Sequence, residues 1–386
     1  ENFNDLYVVK VGELQQQHQE AMDESSGSSS SSSNFNYILP GIRNVRFSSS
    51  NESGYDVDGG LVDCPNVESC SSHYDTNTRQ TNESKAFTFS EVNCIYASTS
   101  EIFCSHFSSD GKLLASGGSD KKAVLWYTDS LKRKAILEGH VSSISDVRFS
   151  PSMPRLATSS FDTTIRVWDV DNPVTGYSLP TFTAHSAVMS VDFHPNMNDL
   201  VCSSDANGDI QYWILSSPNC VRVFKGAINR IRFQPRIGRY LAAAAHNIVS
   251  IFDVETQAGL YSLKGHVYAV LCLCWDPSGE LLASVSVDSV RVWNLRSGEC
   301  IRELVSGKVN KFYSLPFIAD HWLLPGKYFH FVYDAYDLVL SLVLWNTSES
   351  RMLTLPAHDD HITSLAVSTV NGLVASASYD RFIKLW

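Results

Sequence analysis

Four histidines in this chain stand 22 residues ahead of a polar turn residue: His140 before Asp162, His185 before Asn207, His266 before Asp288 and His358 before Asp380. Four residues ahead of each turn position is a hydroxyl, at Thr158, Ser203, Ser284 and Ser376, and Ser116 stands likewise before Asp120. A tryptophan follows each turn, at Trp126, Trp168, Trp213, Trp293 and Trp386. Imidazole, hydroxyl and carboxylate together are the parts of a hydrolase relay, in which a base activates a nucleophile. Repetition argues against that use. An enzyme needs one such set, whereas this set recurs along the chain, and neither GxSxG nor HExxH is present. The same groups can form a buried chain of hydrogen bonds, with the turn carboxylate accepting from the imidazole, the hydroxyl bridging and the indole N–H donating at the far end. Such a chain pins the loop entering a structural unit against the turn between its middle strands. No catalytic residue, cofactor or metal is expected.

The elements that must position these groups repeat with them. A strand ending in an aromatic residue recurs at Trp126, Trp168, Trp213, Phe252, Trp293, Trp345 and Trp386, with steps of 42, 45, 39, 41, 52 and 41 residues. Before most anchors comes a strand of small and apolar residues, such as LLASGGSD (113–120), LATSSFD (156–162) and LVASASYD (373–380). Earlier still lies a third, as in VRFSP (147–151) and IRFQP (231–235). Short apolar alternation punctuated by Pro, Gly, Ser and Asp is the signal of strands and turns, and a period near 40 residues is that of a repeat array.

With Gly139-His140, Gly265-His266 and Trp168-Asp169 in place, the pattern resembles the WD-repeat family over about 300 of the 386 residues. The resemblance implies an all-β fold, a seven-bladed WD40 β-propeller over residues 86–386, with the His-bearing and Asp-bearing loops on one face. The chain reaches Trp386 on the third strand of the last repeat, so the segment 86–95 is the expected donor of its outer strand. Repeat four has Phe252 for Trp and His246 at the turn, so no relay is expected there. The sixth blade, about 304–346, is degenerate: residues 307–340 read either as a non-native insertion, such as translated intron sequence, or as a divergent blade with a long apolar loop.

Residues 1–85 differ in kind. They hold a glutamine cluster (Gln15, Gln16, Gln17, Gln19), a serine run from Ser25 to Ser33, and 13 acidic against 5 basic side chains. Low hydrophobicity with net charge cannot offset chain entropy, so a disordered low-complexity linker is expected. The whole chain carries a formal charge of -11, which disfavours direct nucleic-acid binding, and no apolar run approaches the roughly 20 residues of a membrane helix. Nine cysteines without a CxxC pair read as reduced thiols rather than a disulfide framework or zinc site.

Whole phrases point further. FTFSEVN (87–93), HFSSDGKLLASGGSDKKAVLWYTD (106–129), RFSPSMPRLATSSFDTTIRVWD (148–169) and LPAHDDHITSLAVSTVNGLVASASYD (355–380) resemble the plant LEUNIG-type corepressors of the Groucho/Tup class. That resemblance implies a nuclear, non-enzymatic transcriptional corepressor subunit, recruited by transcription factors or adaptor proteins and engaging histone deacetylase or Mediator subunits. The alternative is a substrate receptor of a cullin ubiquitin ligase, but the residues after Trp168-Asp169 and Trp293 do not complete that recognition box. Phe161 and Tyr379, each just before a turn Asp, are candidate protein-binding anchors or packing residues of neighbouring loops.

Overall fold

The computed structural model describes residues 90–173, 181–305, 314, 317–319, 328–334, 340–346 and 351–386. The chain divides into two units, Glu1–Arg79 and Gln80–Trp386, and every described residue belongs to the second. The expected linker at 1–85 therefore lies outside the described residues, as does most of 307–340. Among the described residues no helix is long and apolar enough to cross a membrane.

The described strands pair into antiparallel sheets of four. Blade one is Ile102–Phe107, Leu113–Gly118, Ala123–Tyr127 and Arg133–Leu137. Blade two is Ile144–Phe149, Arg155–Ser160, Thr164–Asp169 and Thr181–Thr183. Blade three is Val188–Phe193, Leu200–Asp205, Asp209–Ile214 and Ser217–Lys225. Blade four is Ile231–Phe233, Tyr240–Ala245, Ile248–Asp253 and Gly259–Lys264, and blade five is Val270–Trp275, Leu281–Ser286, Ser289–Asn294 and Glu299–Val305. The closing blade takes Ile362–Ser368, Leu373–Ser378 and Phe382–Leu385 from the last repeat and its outer strand, Asn93–Tyr96, from before the first. Asn93 pairs with Leu385 and Tyr96 with Phe382, so the two ends of the described unit are joined.

Why these residues form blades is visible in the register. On the two middle strands an aliphatic residue faces the anchor aromatic: Leu114 opposite Trp126, Leu156 opposite Trp168, Val201 opposite Trp213, Leu241 opposite Phe252 and Leu282 opposite Trp293. All five aliphatic partners are fully buried. Each contributes about 1.5–3 kcal/mol by leaving water. Successive blades then share cores. One seam joins Ala375, Ala377 and Ile383 of the closing blade to Leu114 and Trp126, and the next joins Ala115 and Leu125 to Ile144 and Leu156. The series continues through blades three and four to five. Small residues on the second strand let blades approach. A Cβ on Gly117 would meet Ile144 of the next blade at 2.8 Å.

The blade number differs from the expected seven. The described cores make six blades, the closing one and blades one to five. Among the described residues, the cluster beyond blade four's seam holds Ala283, Val285, Val290 and Val292 with Leu304, all from blade five. Between Val305 and Ile362 a further sheet, Phe317–Ala319, Tyr328–Asp334, Leu340–Asn346 and Arg351–His358, is described by its backbone pairing. The physical reason lies in the sequence. Residues 306–340 lack the small-residue second strand that the other blades carry.

Candidate functional site

Where a blade has a relay it sits at one end, where the loop from the preceding outer strand meets the turn between the second and third strands. In blade two the Trp168 indole donates to Thr158 Oγ1 at 2.9 Å, and Thr158 Oγ1 lies 2.7 Å from His140 Nε2. His140 Nδ1 is 2.8 Å from Asp162 Oδ2. With the proton on Nδ1, the imidazole donates to the carboxylate while Nε2 accepts from the hydroxyl, so the chain of donors runs in one direction. The hydroxyl shares a face with the aliphatic residue two places earlier, and the indole reaches it diagonally across the strand pair. Asp162 also accepts from the Val141 backbone N–H at 2.9 Å, which fixes the loop itself. Burial alone would raise the Asp162 carboxyl, but hydrogen bonds from His140 and Thr164 outweigh it and hold the group well below the usual carboxylate range.

The closing blade repeats this geometry. Trp386 donates to Ser376 at 2.9 Å, Ser376 lies 2.7 Å from His358 Nε2, and His358 Nδ1 lies 2.7 Å from Asp380. Blade five varies it. Trp293 donates to Ser284 at 2.8 Å and Ser284 is 2.7 Å from His266, but the His266–Asp288 distance is 3.9 Å. The hydroxyl of Ser289 fills the gap, 3.0 Å from each. Burial, foremost, pulls the His266 imidazole down to about 4.

Two expected assignments change. In blade one Ser116 takes the Trp126 N–H, but Asp120 accepts from Ser98, the residue standing 22 places before it where other blades have histidine. In blade three Ser203 takes the Trp213 N–H at 2.9 Å, yet Asn207 is not the partner of His185. The His185 side chain is 60% exposed and its Nδ1 lies 3.3 Å from Asp209. The 22-residue spacing to Asn207 follows from the repeat length, while the carboxylates of that blade have moved to Asp205 and Asp209, flanking the turn. His185, Asp205 and Asp209 are the group among the described residues able to hold a metal ion. Blade four has no relay. Ala227 stands where others carry histidine, and Phe252 lies so close over Gly226 that a Cβ there would meet its ring at 2.6 Å. The glycines of the Gly-His pairs have a different cause, since a Cβ on Gly139 or Gly265 would first meet the guanidinium of Arg166 or Arg291, with the Trp168 and Trp293 rings behind at 3.4 and 3.3 Å.

One buried group escaped the sequence reading. Asp146, on the inner strand of blade two, accepts from Arg232 of blade four at 2.9 Å and from Ser190 of blade three at 2.9 Å, with Arg230 at 3.3 Å and Arg148 at 3.4 Å. Burial opposes its ionisation, but Arg232, Arg148 and Arg230 together hold the carboxyl far below its ordinary value. Charged residues at alternate places on inner strands, SDVR at 145–148 and NRIR at 229–232, were the available sign.

Phe161 and Tyr379 are half-buried, and Tyr379 stands edge-on to Phe103 and His361, at 5.8 Å from each. The exposed apolar side chains of this end are others. Val141 follows His140 and is 76% exposed, while Val267 and Tyr268 follow His266 at 53% and 49%.

Comparison with known proteins agrees with the repeat reading. The family described as WD domain, G-beta repeat matches residues 89–127, 131–169, 176–213, 258–294 and 349–386. The chain is 46% identical over 310 residues to the transcriptional corepressor LEUNIG_HOMOLOG of Arabidopsis thaliana, covering 79% of this chain and 38% of that protein. It is 28% identical over 213 residues to pre-mRNA-processing factor 19 homolog 2 of Arabidopsis thaliana, covering 51% of this chain and 39% of that one. Human striatin-4 is 27% identical over 196 residues, 48% of this chain and 26% of striatin-4. The chain thus spans well under half the length of these relatives.

Proposed function

The chain belongs to the WD-repeat family, and from that premise we propose that it is a non-enzymatic protein-binding scaffold acting as a transcriptional corepressor subunit in the nucleus. The observation that carries this reading is the 46% identity to a transcriptional corepressor across 79% of the chain, against 28% for the splicing-factor relative. The site geometry supports it. In blades two, five and the closing blade the hydroxyls of Thr158, Ser284 and Ser376 are fully buried and each accepts from an indole N–H, so they are closed to a substrate. What the relays hold up is a set of loops that present Val141, Val267 and Tyr268 to solvent. Apolar side chains displayed on rigid loops are suited to anchoring a protein partner.

In this reading the partners are transcription factors or adaptor proteins on the recruiting side and histone deacetylase or Mediator subunits on the effector side. Phe161 and Tyr379, half-buried beside their turn carboxylates, are further candidates for partner contact. The test is a reporter assay with the chain tethered to a promoter, run beside affinity capture from nuclear extract. Repression and capture are expected for the unaltered chain. Both are expected to fall at least several-fold for the triple variant Val141→Asp, Val267→Asp, Tyr268→Ser, with an unchanged melting temperature. Full repression by the triple variant would move the docking surface elsewhere, and no repression by the unaltered chain would remove the corepressor reading.

A further inference from the structure

Blade three departs from its neighbours at one buried position. Eight residues before the anchor tryptophan, blade two has Ser160 and the closing blade Ser378. Each hydroxyl donates to a carbonyl of the entering loop, Ser160 to Ser142 at 3.1 Å and Ser378 to Asp360 at 2.9 Å. Blade three has Asp205 there, with no exposed surface. Its Oδ1 accepts from the backbone N–H groups of Asn207 and Asp209, at 2.9 and 3.1 Å. Its Oδ2 is buried and, among the described residues, has no hydrogen-bond partner.

A carboxylate oxygen held away from water without a donor is costly, and a neighbouring cation is what offsets it. The nearby lysine does not serve. Lys225 Nζ is directed to Asp209 at 2.8 Å and to the Asn207 carbonyl at 3.1 Å, and its side chain is 70% exposed. Near the Asp205 carboxylate, however, other metal-ligating groups gather. Asp205 ends the second strand and Asp209 begins the third, so the hairpin brings both carboxylates to one end of the blade. One carboxylate oxygen from each and a ring nitrogen of His185 all lie within 4.8 Å of one another.

We propose that His185, Asp205 and Asp209 form a binding site for a divalent transition-metal ion of the zinc class, with water completing its coordination. Ligand distances of about 2.0–2.2 Å for imidazole nitrogen and carboxylate oxygen need these atoms drawn somewhat closer together, and the exposed His185 ring, already 3.3 Å from Asp209, can turn to do so. The imidazole selects against magnesium and calcium, which take oxygen ligands. Asp205 supplies Oδ2, the oxygen no N–H claims. The ion ties the loop that enters blade three to the turn between its middle strands, the connection that blades two and the closing blade make with a direct His–Asp hydrogen bond.

The experiment is calorimetric titration of zinc into the metal-free full chain, with melting temperature followed in parallel. One equivalent is expected to bind and raise the melting temperature. Asp205→Ser, which installs the residue of the neighbouring blades, and His185→Ala are each expected to weaken binding about tenfold or more. The metal-free Asp205→Ser chain is expected to melt no lower than the unaltered one. Should that variant not fold, Asp205→Asn serves in its place. Absence of a bound equivalent, or unchanged affinity in the Asp205 variants, overturns the site; preferential binding of calcium over zinc overturns the assignment of the ion.

Discussion

Each relay residue is fixed by bonds on two sides, which makes its removal costly in proportion to burial. Asp162 is buried at its side chain and accepts from His140, Val141 and Thr164, whereas Asp120 is half-buried and accepts from Ser98 and a backbone N–H. Asp162→Ala is expected to destabilise by about 2–3 kcal/mol and Asp120→Ala by about 1 kcal/mol or less, compared by urea unfolding. Acid acts on the same groups. His266, pulled down to about 4 chiefly by burial, stays neutral in the folded chain while an unfolded chain takes up a proton near 6.5. The unfolded state therefore binds more protons between those values, so stability is full above about 6.5 and falls as pH drops toward 4, by about 3 kcal/mol for this residue. Half-buried His106, lowered by its partial burial and then by Arg148 and Arg232, acts in the same direction. Below that window Asp288 and Asp380, both held under the usual carboxylate range, lose their contribution as they protonate. Urea midpoints at pH 7, 5.5 and 4.5 should descend, and a flat profile would contradict neutral buried imidazoles.

At the scale of strands and turns, the hairpin between the second and third strands demands a left-handed residue. Lys121, Thr163, Gly208 and Arg381 occupy that place with φ of 67°, 71°, 85° and 74°. Thr163 is β-branched and strained there, while Gly208 meets only ordinary contacts. Thr163→Gly is expected to raise stability by about 0.5–1 kcal/mol, read from the shift in melting temperature, because relief of strain exceeds the added chain entropy. This regular hairpin is also why the relays were legible in the sequence. Its fixed length sets the distance from Thr158 to Trp168 and from Ser376 to Trp386, so spacing alone reveals the partners. Where a turn is altered the inference fails. Asn207 fell on the expected spacing while the carboxylates had shifted to either side, and Ser289 entered blade five's chain because its turn is a residue shorter. The Asp146 cluster was illegible for a different reason. Its partners lie 44 and 86 residues away, and no local pattern pairs them.

In the molecule as a whole, seams between blades decide the architecture, and seams are harder to read than strands. Seven aromatic anchors suggested seven equivalent blades, but an anchor such as LVLWN at 342–346 identifies a strand and not the packed core on either side of it. The pairing of residues 93–96 with 382–385, by contrast, followed from the last repeat needing an outer strand. Ile95 packs against the seam that holds Ala377, Ile383 and Leu114. Ile95→Asp places a carboxylate in it and is expected to cost about 2–3 kcal/mol, with a single cooperative transition at lower temperature by tryptophan fluorescence.

That junction also dictates how the unit bears load. The strand Asn93–Tyr96 runs antiparallel to Phe382–Leu385, so a pull on the polypeptide upstream of Asn93, resisted by a partner gripping the opposite rim, slides the two strands along their length. All four residue pairs then resist together instead of peeling one by one. A scaffold tugged by its upstream segment would yield abruptly at a threshold force, with blades one to five still stacked until the instant that strand pair gives way.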